Sequence, residues 1–228
     1  MAFRIPRLGR SGRDFAREVA IVILGVLVAL ALEQLVSSWR ERERAADIRA
    51  SMDEELSDFV TVFDVRAAAS RCIAAKLDAL DRALAGPIAP PLRNVGRPPF
   101  FFSSHGAWNS DAADLLARHL GPVTLRTYGE AYQGMAEYAA LAQREQDEWI
   151  ILQTLERAGE PIAGDRRWRL IEAASGARNT NLLLTAIAAQ MNQRIAGLGI
   201  RPATASLPYD VRTQPLCRPL EMGAPAAH

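Results

Sequence analysis

Along this chain the hydrophobic pattern opens with fourteen apolar positions in a row, residues 19–32, set between an arginine-rich N-terminus and an arginine/glutamate run. Fourteen residues of helix rise only about 21 Å, short of the roughly 30 Å hydrocarbon core of a bilayer. Glu33 and Gln34 interrupt the run, Leu35 and Val36 resume it, and Trp39 stands where an interfacial aromatic belongs. Residues 19–39 then span about 31 Å, enough to cross. Glu33 falls about 9 Å inside Trp39, near the far interface, where a carboxylate costs less than the ~2.5–3.5 kcal/mol of the bilayer centre.

Beyond Trp39 the periodicity becomes that of an amphipathic helix. Met52, Leu56, Phe59 and Phe63 recur at steps of 4, 3 and 4, and Ile73, Leu77, Leu80 and Leu84 repeat those steps. No Pro or Gly occurs between Val26 and Ala85, so one helix is predicted from the membrane segment to the stop signal Gly86-Pro87. Residues 86–108 hold five of the thirteen prolines and Phe100-Phe101-Phe102, which predicts a loop that packs. After Trp108, Asn109-Ser110-Asp111 reads as the N-cap of a short helix over 110–119, closed by Gly121-Pro122. A helix of about 35 residues follows to Ala158, with Tyr128, Tyr132, Met135, Ala139, Ala142 and Trp149 on its apolar stripe. Gly129 and Gly134 weaken it by roughly 1 kcal/mol each. Asp165 can cap a last helix, on which Ile171, Ala174, Ala177, Asn181, Leu184, Ala188, Met191, Ile195 and Leu198 recur at 3 or 4. The fold class is therefore all-α: a transmembrane helix continuing into an antiparallel bundle of three long helices plus one short helix. Its divisions are a cytoplasmic basic arm (1–18), the membrane helix (19–39), a periplasmic bundle (40–198) and an irregular tail (199–228).

The same N-terminus also fits a cleaved signal peptide, with Arg4, Arg7, Arg10, Arg13 and Arg17 ahead of the apolar run and Ala29-Leu30-Ala31 as the cleavage site. No helix breaker precedes that site, and Arg40-Glu41-Arg42-Glu43-Arg44 favours unbroken helix, so the anchor is the preferred reading and a secreted product the alternative. Basic residues ahead of the run outnumber those just behind it, which favours a cytoplasmic N-terminus and a periplasmic bulk at a bacterial inner membrane.

The stretch Arg17-Glu18-Val19-Ala20-Ile21-Val22-Ile23-Leu24-Gly25-Val26-Leu27-Val28-Ala29-Leu30 resembles an uncharacterised bacterial family. Its members share an R-E-[IV]-x-I-V-x-x-G-[VI]-L-[IV]-A-L membrane segment followed by a helical extracytoplasmic region. The likeness is specific over about fifteen residues and architectural elsewhere. It implies a topology and brings no activity.

A formal charge of +1 supplies no field for nucleic acid, and none is expected as a partner. Cys72 and Cys217 are 145 positions apart, with neither a CxxC nor metal-ligand spacing. In an oxidising compartment they read as one disulfide, worth about 4–5 kcal/mol through loop closure; two separate thiols are the other reading.

No set of residues specifies a reaction. His105 and His119 could sit near Asp111 and Asp114, but their spacing fits no compact metal motif. Ser103-Ser104-His105 is adjacency rather than a nucleophile–base geometry, and the chain has no G-x-S-x-G, Walker loop, dinucleotide fingerprint or HExxH. Catalysis, cofactors and metals are thus not predicted. Three surfaces are candidates. Tyr128, Tyr132 and Asn181 could line a ligand pocket, although a mid-stripe asparagine also serves to fix helix register. Phe100, Phe101, Phe102 and Trp108 form either a docking patch or a plug at the bundle's end. Gly25, Ala29 and Glu33 share a face suited to contact with another copy or another membrane protein. The expected role is a bilayer-anchored binding or accessory module of the cell envelope. A sensor bundle is the alternative, signalling through a partner because an arm of some eighteen residues is too short for an effector domain.

Overall fold

A computed structural model describes residues 12–86, 92–101, 106–157, 162–203 and 210–222. Phe102, Ser103, Ser104 and His105 of the sequence reading lie outside the described residues. The fold is all-α, built of α1 (Gly12–Ala85), α2 (Ser110–Ala117), α3 (Pro122–Gln153) and α4 (Gly164–Gly197). A two-residue ladder joins β1 (Leu92–Arg93) antiparallel to β2 (Glu221–Met222).

The chain divides into two compact units, residues 1–47 and 48–228. The first is the N-terminal part of α1, a helix long and apolar enough to cross a membrane. None of its most apolar window is buried within the protein, and Leu24 and Leu35 are 63% and 66% exposed. Gly25, Ala29 and Glu33, each four residues on, share an exposed face, and a Cβ added at Gly25 meets open space.

In the second unit the direction of each element follows from its cross-contacts. Phe63 of α1 packs edge-on against Tyr138 of α3, and Arg66 meets Glu145, so these two helices run the same way. α4 opposes both: Arg178 reaches Asp78 and Asp81 at 2.8 and 2.5 Å, Asn192 reaches Asp64 at 3.0 Å, and Thr180 reaches Glu148 at 3.2 Å. Parallel α1 and α3 require the intervening chain to retrace the bundle. Of this chain, residues 94–101 and 106–108 carry no regular element, and side chains bond much of their backbone. Glu156 accepts from Val95 N and Gly96 N at 2.8 and 3.3 Å, Gln146 Nε2 donates to Pro98 O at 3.3 Å, and Glu55 accepts from Gly106 N and Ala107 N at 3.1 and 3.2 Å. At about 3.3 Å per residue an extended chain covers a given length with less than half the residues a helix needs.

The sequence stripes are the buried faces. Met52, Leu56, Phe59 and Phe63 are buried at one end of the unit, and Ile73, Leu77, Leu80 and Leu84 at the other, where they join Trp149, Leu152, Leu170 and Ala174. Asn109 is the N-cap of α2, its Oδ1 accepting from Ala112 N at 2.9 Å. α4 begins earlier than the sequence suggests: Ala163 is the N-cap without a side-chain bond, and Asp165 lies inside the first turn, where its charge suits the helix dipole. α3 stops at Gln153 and tightens into a 3-10 turn over Thr154–Glu156.

In the tail, residues 210–222 carry short elements. Two 3-10 turns, Val211–Thr213 and Pro215–Cys217, lead to β2. The tail lies against α1, to which the disulfide Cys72–Cys217 fastens it. Gly96 sits beneath, with φ of +64°, and a Cβ there would stand 2.5 Å from Leu216 N, so only glycine fits.

Candidate functional site

The two apolar ends of the bundle are separated by a charged layer. Arg66 of α1 and Glu145 of α3 are 2% and 1% exposed. The guanidinium grips the carboxylate end-on: Nη1 donates to Glu145 Oε2, and Nη2 donates to Oε1 at 2.7 Å and to Asn181 Oδ1 at 2.8 Å. Burial pushes the Glu145 carboxyl up, and the two Arg66 donors work against that rise. The Nε of Arg66 is buried with no partner among the described residues. Asn181 thus joins a buried polar network, one that depends on the three helices holding a single register.

A cavity of about 250 Å³ adjoins this layer, between α1, α3 and the returning segment. Its walls include Phe59, Arg66, Phe100, Phe101, Tyr138 and Gln143. Burial pushes the Tyr138 hydroxyl up to about 12, so it stays protonated.

Tyr128 and Tyr132, read with Asn181 as a possible pocket, sit elsewhere on α3. Tyr128 donates to Asp53, and Tyr132 donates to Glu55 at 2.8 Å. Desolvation, reinforced by those carboxylates, pushes Tyr128 up to about 12 and Tyr132 further still. Trp108 stacks on Tyr132 at 5.7 Å between ring centroids. The structure therefore splits the aromatic group of the sequence reading: Phe100 and Phe101 line the cavity, while Trp108 covers Tyr132.

Lys76, the sole lysine, is the hub of the tail. Its ammonium donates to the carbonyls of Asn94, Pro215 and Arg218, the last two at 3.3 and 2.8 Å. Burial pulls it down to about 8, against the pull of Glu156 and Glu221. Cys72 and Cys217 are bonded beside it. His119, at the end of α2, is exposed, as are Asp111 and Asp114. A shallower groove of about 1210 Å³ runs between the end of α3 and the start of α4, lined by Ile150, Ile151 and Leu170 with Arg169 and Glu172.

No motif marks Arg66, Glu145 or Lys76, yet the sequence carries a signal for each. Each falls on a buried stripe, Arg66 three residues after Phe63, Lys76 three after Ile73, and Glu145 four before Trp149. A charge in the register of a core stripe is a buried charge and needs a partner.

The geometry defines a class: a helical bundle with a charged core layer and a small cavity, in a chain that also has one helix long and apolar enough to cross a membrane. Comparison with family models, curated proteins and solved structures finds no match to this chain.

Proposed function

We propose that this chain is a single-pass protein of the bacterial inner membrane that displays its helical bundle in the periplasm and acts there as a binding or accessory subunit. The exposed apolar half of α1 carries the reading. Twelve large apolar side chains between Val19 and Val36 stand 40% or more exposed. At about 1.5–3 kcal/mol each, leaving them in water would cost on the order of 20 kcal/mol, which lipid removes. The Cys72–Cys217 bond supports an oxidising location for the bundle. The arginines of the N-terminal arm support a cytoplasmic start. The likeness at residues 17–30 supports the same topology. Through Gly25, Ala29 and Glu33 the anchor pairs with another copy or with a second membrane protein.

The test is a pair of C-terminal fusions to the full chain. Alkaline phosphatase is expected to be active and green fluorescent protein dark. The reverse pattern, or a mature product starting near Leu32, overturns the topology. Purification in mild detergents is expected to retain a stoichiometric partner or a dimer. Recovery as a lone monomer in every detergent overturns the accessory role.

A further inference from the structure

We propose that two copies of this chain pair through the outward face of α4, along a seam of Ser175, Asn179, Leu182, Ala186, Ala189 and Gln193. These positions recur at steps of 4, 3, 4, 3 and 4, and every one of them is exposed. The stripe of α4 that faces the core runs through Ala177, Leu184, Ala188, Met191 and Ile195, on the other side of the helix. α4 therefore has two regular faces, of which the bundle covers one. Leu182 is 65% exposed on the uncovered face, and Trp168, one heptad before Ser175, is 71% exposed.

The distribution of charge marks this face as one that is covered. From Ala173 to Gln193, about 30 Å of helix, the only charged residue is Arg178, and its guanidinium is turned to Asp78 and Asp81 of α1. A helix face that stays in water is normally charged. The neighbouring helices follow that rule, α1 exposing Asp64, Arg71 and Asp81, and α3 exposing Glu130, Glu137 and Arg144. Depletion of charge is instead the mark of the centre of a protein interface.

The same contrast selects the occupant. Of the outward faces of the long helices in this unit, that of α4 alone is uncharged along its middle, so it is the face of a second copy that matches it. The 4-3 spacing places Asn179 at position a of a heptad and Leu182 at position d. An asparagine amide is donor and acceptor at once, so it bonds to its own copy across a two-fold axis, and one such residue at an a position sets the register of a dimer. In a parallel pair Asn179 meets Asn179, Leu182 meets Leu182, and the small side chains of Ser175, Ala186 and Ala189 let the backbones come close. The seam lies wholly within residues 48–228 and rests on neither the topology of the chain nor contact between anchors.

The experiment uses the full chain in a mild detergent. Sedimentation is expected to give the mass of a dimer. Leu182→Glu/Ala186→Glu sets like charges across the seam and is expected to weaken association about a hundredfold or more, with circular dichroism unchanged. Ala186→Cys is expected to link to its own copy on mild oxidation, the native cysteines being already joined to each other, whereas Ala140→Cys on the exposed side of α3 is not. This cysteine pair decides the matter if the glutamate variant fails to fold. The Ala186 link is expected to persist in Gly25→Leu/Ala29→Leu, which alters the anchor instead. A monomeric parent, undiminished association of a folded glutamate variant, equal linking at Ala186 and Ala140, or loss of the Ala186 link in the anchor variant overturns the proposal.

Discussion

Removing Glu145 alone and removing the whole charged layer should have opposite consequences. In Glu145→Leu the Arg66 guanidinium keeps one bond, to Asn181, and loses its counter-ion in a place where its side chain is 2% exposed. Breaking a buried pair from one side costs about 3–5 kcal/mol, because the remaining charge pays its desolvation without return. For a unit of this size each kcal/mol moves the melting temperature by about 2–4 °C, so a fall of roughly 6–20 °C is expected. The triple variant Arg66→Met/Glu145→Leu/Asn181→Leu removes both charges and the amide that would otherwise be stranded. Apolar replacement of a buried pair is typically neutral or stabilising by about 1–4 kcal/mol, so this variant should melt near or above the parent. The assay is thermal unfolding of the full chain in detergent, followed by near-ultraviolet circular dichroism and by the emission of tryptophans that include the buried Trp149. The reasoning is refuted if the triple variant falls as far as Glu145→Leu, or if Glu145→Leu costs less than about 1 kcal/mol, the range of a solvated surface pair.

Cys217→Ser should cost about 4–5 kcal/mol by freeing a loop of 145 residues; limited trypsin digestion should then cut after Arg212 faster than in the parent. Gly134→Ala should destabilise despite a helix-propensity gain of about 1 kcal/mol, because the new Cβ would stand 2.3 Å from Met191 Sδ and overpacking costs about 1–3 kcal/mol. Pairing it with Met191→Val should cost less than the sum of the single changes, as measured by their melting temperatures. Lys76 predicts a pH effect. Its folded value of about 8 lies below the 10.5 of a free lysine, so the unfolded chain binds more protons between those values and stability should rise across that window. Tyr128 and Tyr138, held at about 12 against 10, act with the opposite sign, so stability should fall above pH 10. Urea midpoints from pH 7 to 11 should show both limbs, and Lys76→Met should lose the rising one alone.

Helices were legible because their signals are local. The 4-3-4 steps from Met52 to Phe63 and from Ile73 to Leu84 fix the buried face of α1, and Asn109 caps α2 through its own side chain. The disulfide was legible from a cysteine count of two and the absence of metal-ligand spacing, once an oxidising compartment was expected. The placement of residues 92–101 and 106–108 was not. An extended chain normally shows itself by alternation, but this one satisfies its backbone through Glu55, Gln146 and Glu156, residues far away in sequence. The same segment decides that α1 and α3 run parallel, so that relation was hidden with it. Gly134 was readable only as a weak point in a helix; its buried contact with Met191 belongs to the α3–α4 approach, which no single helix encodes. The cavity was invisible for a related reason, since its aromatic walls come from three segments that only the returning chain brings together.

The tail explains how a bundle with so few caps is closed at its Leu84 end. Leu92 and Val95 of the returning segment belong to the same apolar core as Val211 and Leu216, which come from the end of the chain. That core is therefore incomplete until the last residues arrive. Once there, they are held in ways that do not depend on hydrophobic burial: the Lys76 ammonium on two tail carbonyls, Asn94 Nδ2 on the Pro219 carbonyl at 3.3 Å, the β1–β2 ladder, and the Cys72–Cys217 bond. Lys76 also donates to the carbonyl of Asn94, the residue after β1, whose φ is 63°. One side chain on α1 thus fixes both the returning segment and the tail, and the disulfide lies one helical turn away from it. Loss of the bond should therefore loosen segment 92–98 along with the tail, while the Met52 end, organised by Glu55, Tyr132 and Trp108, keeps its structure. Hydrogen exchange on the reduced full chain would show faster exchange at Val95 and Gly96 with Ala107 unchanged; uniform exchange along the bundle would mean that its two ends unfold as one.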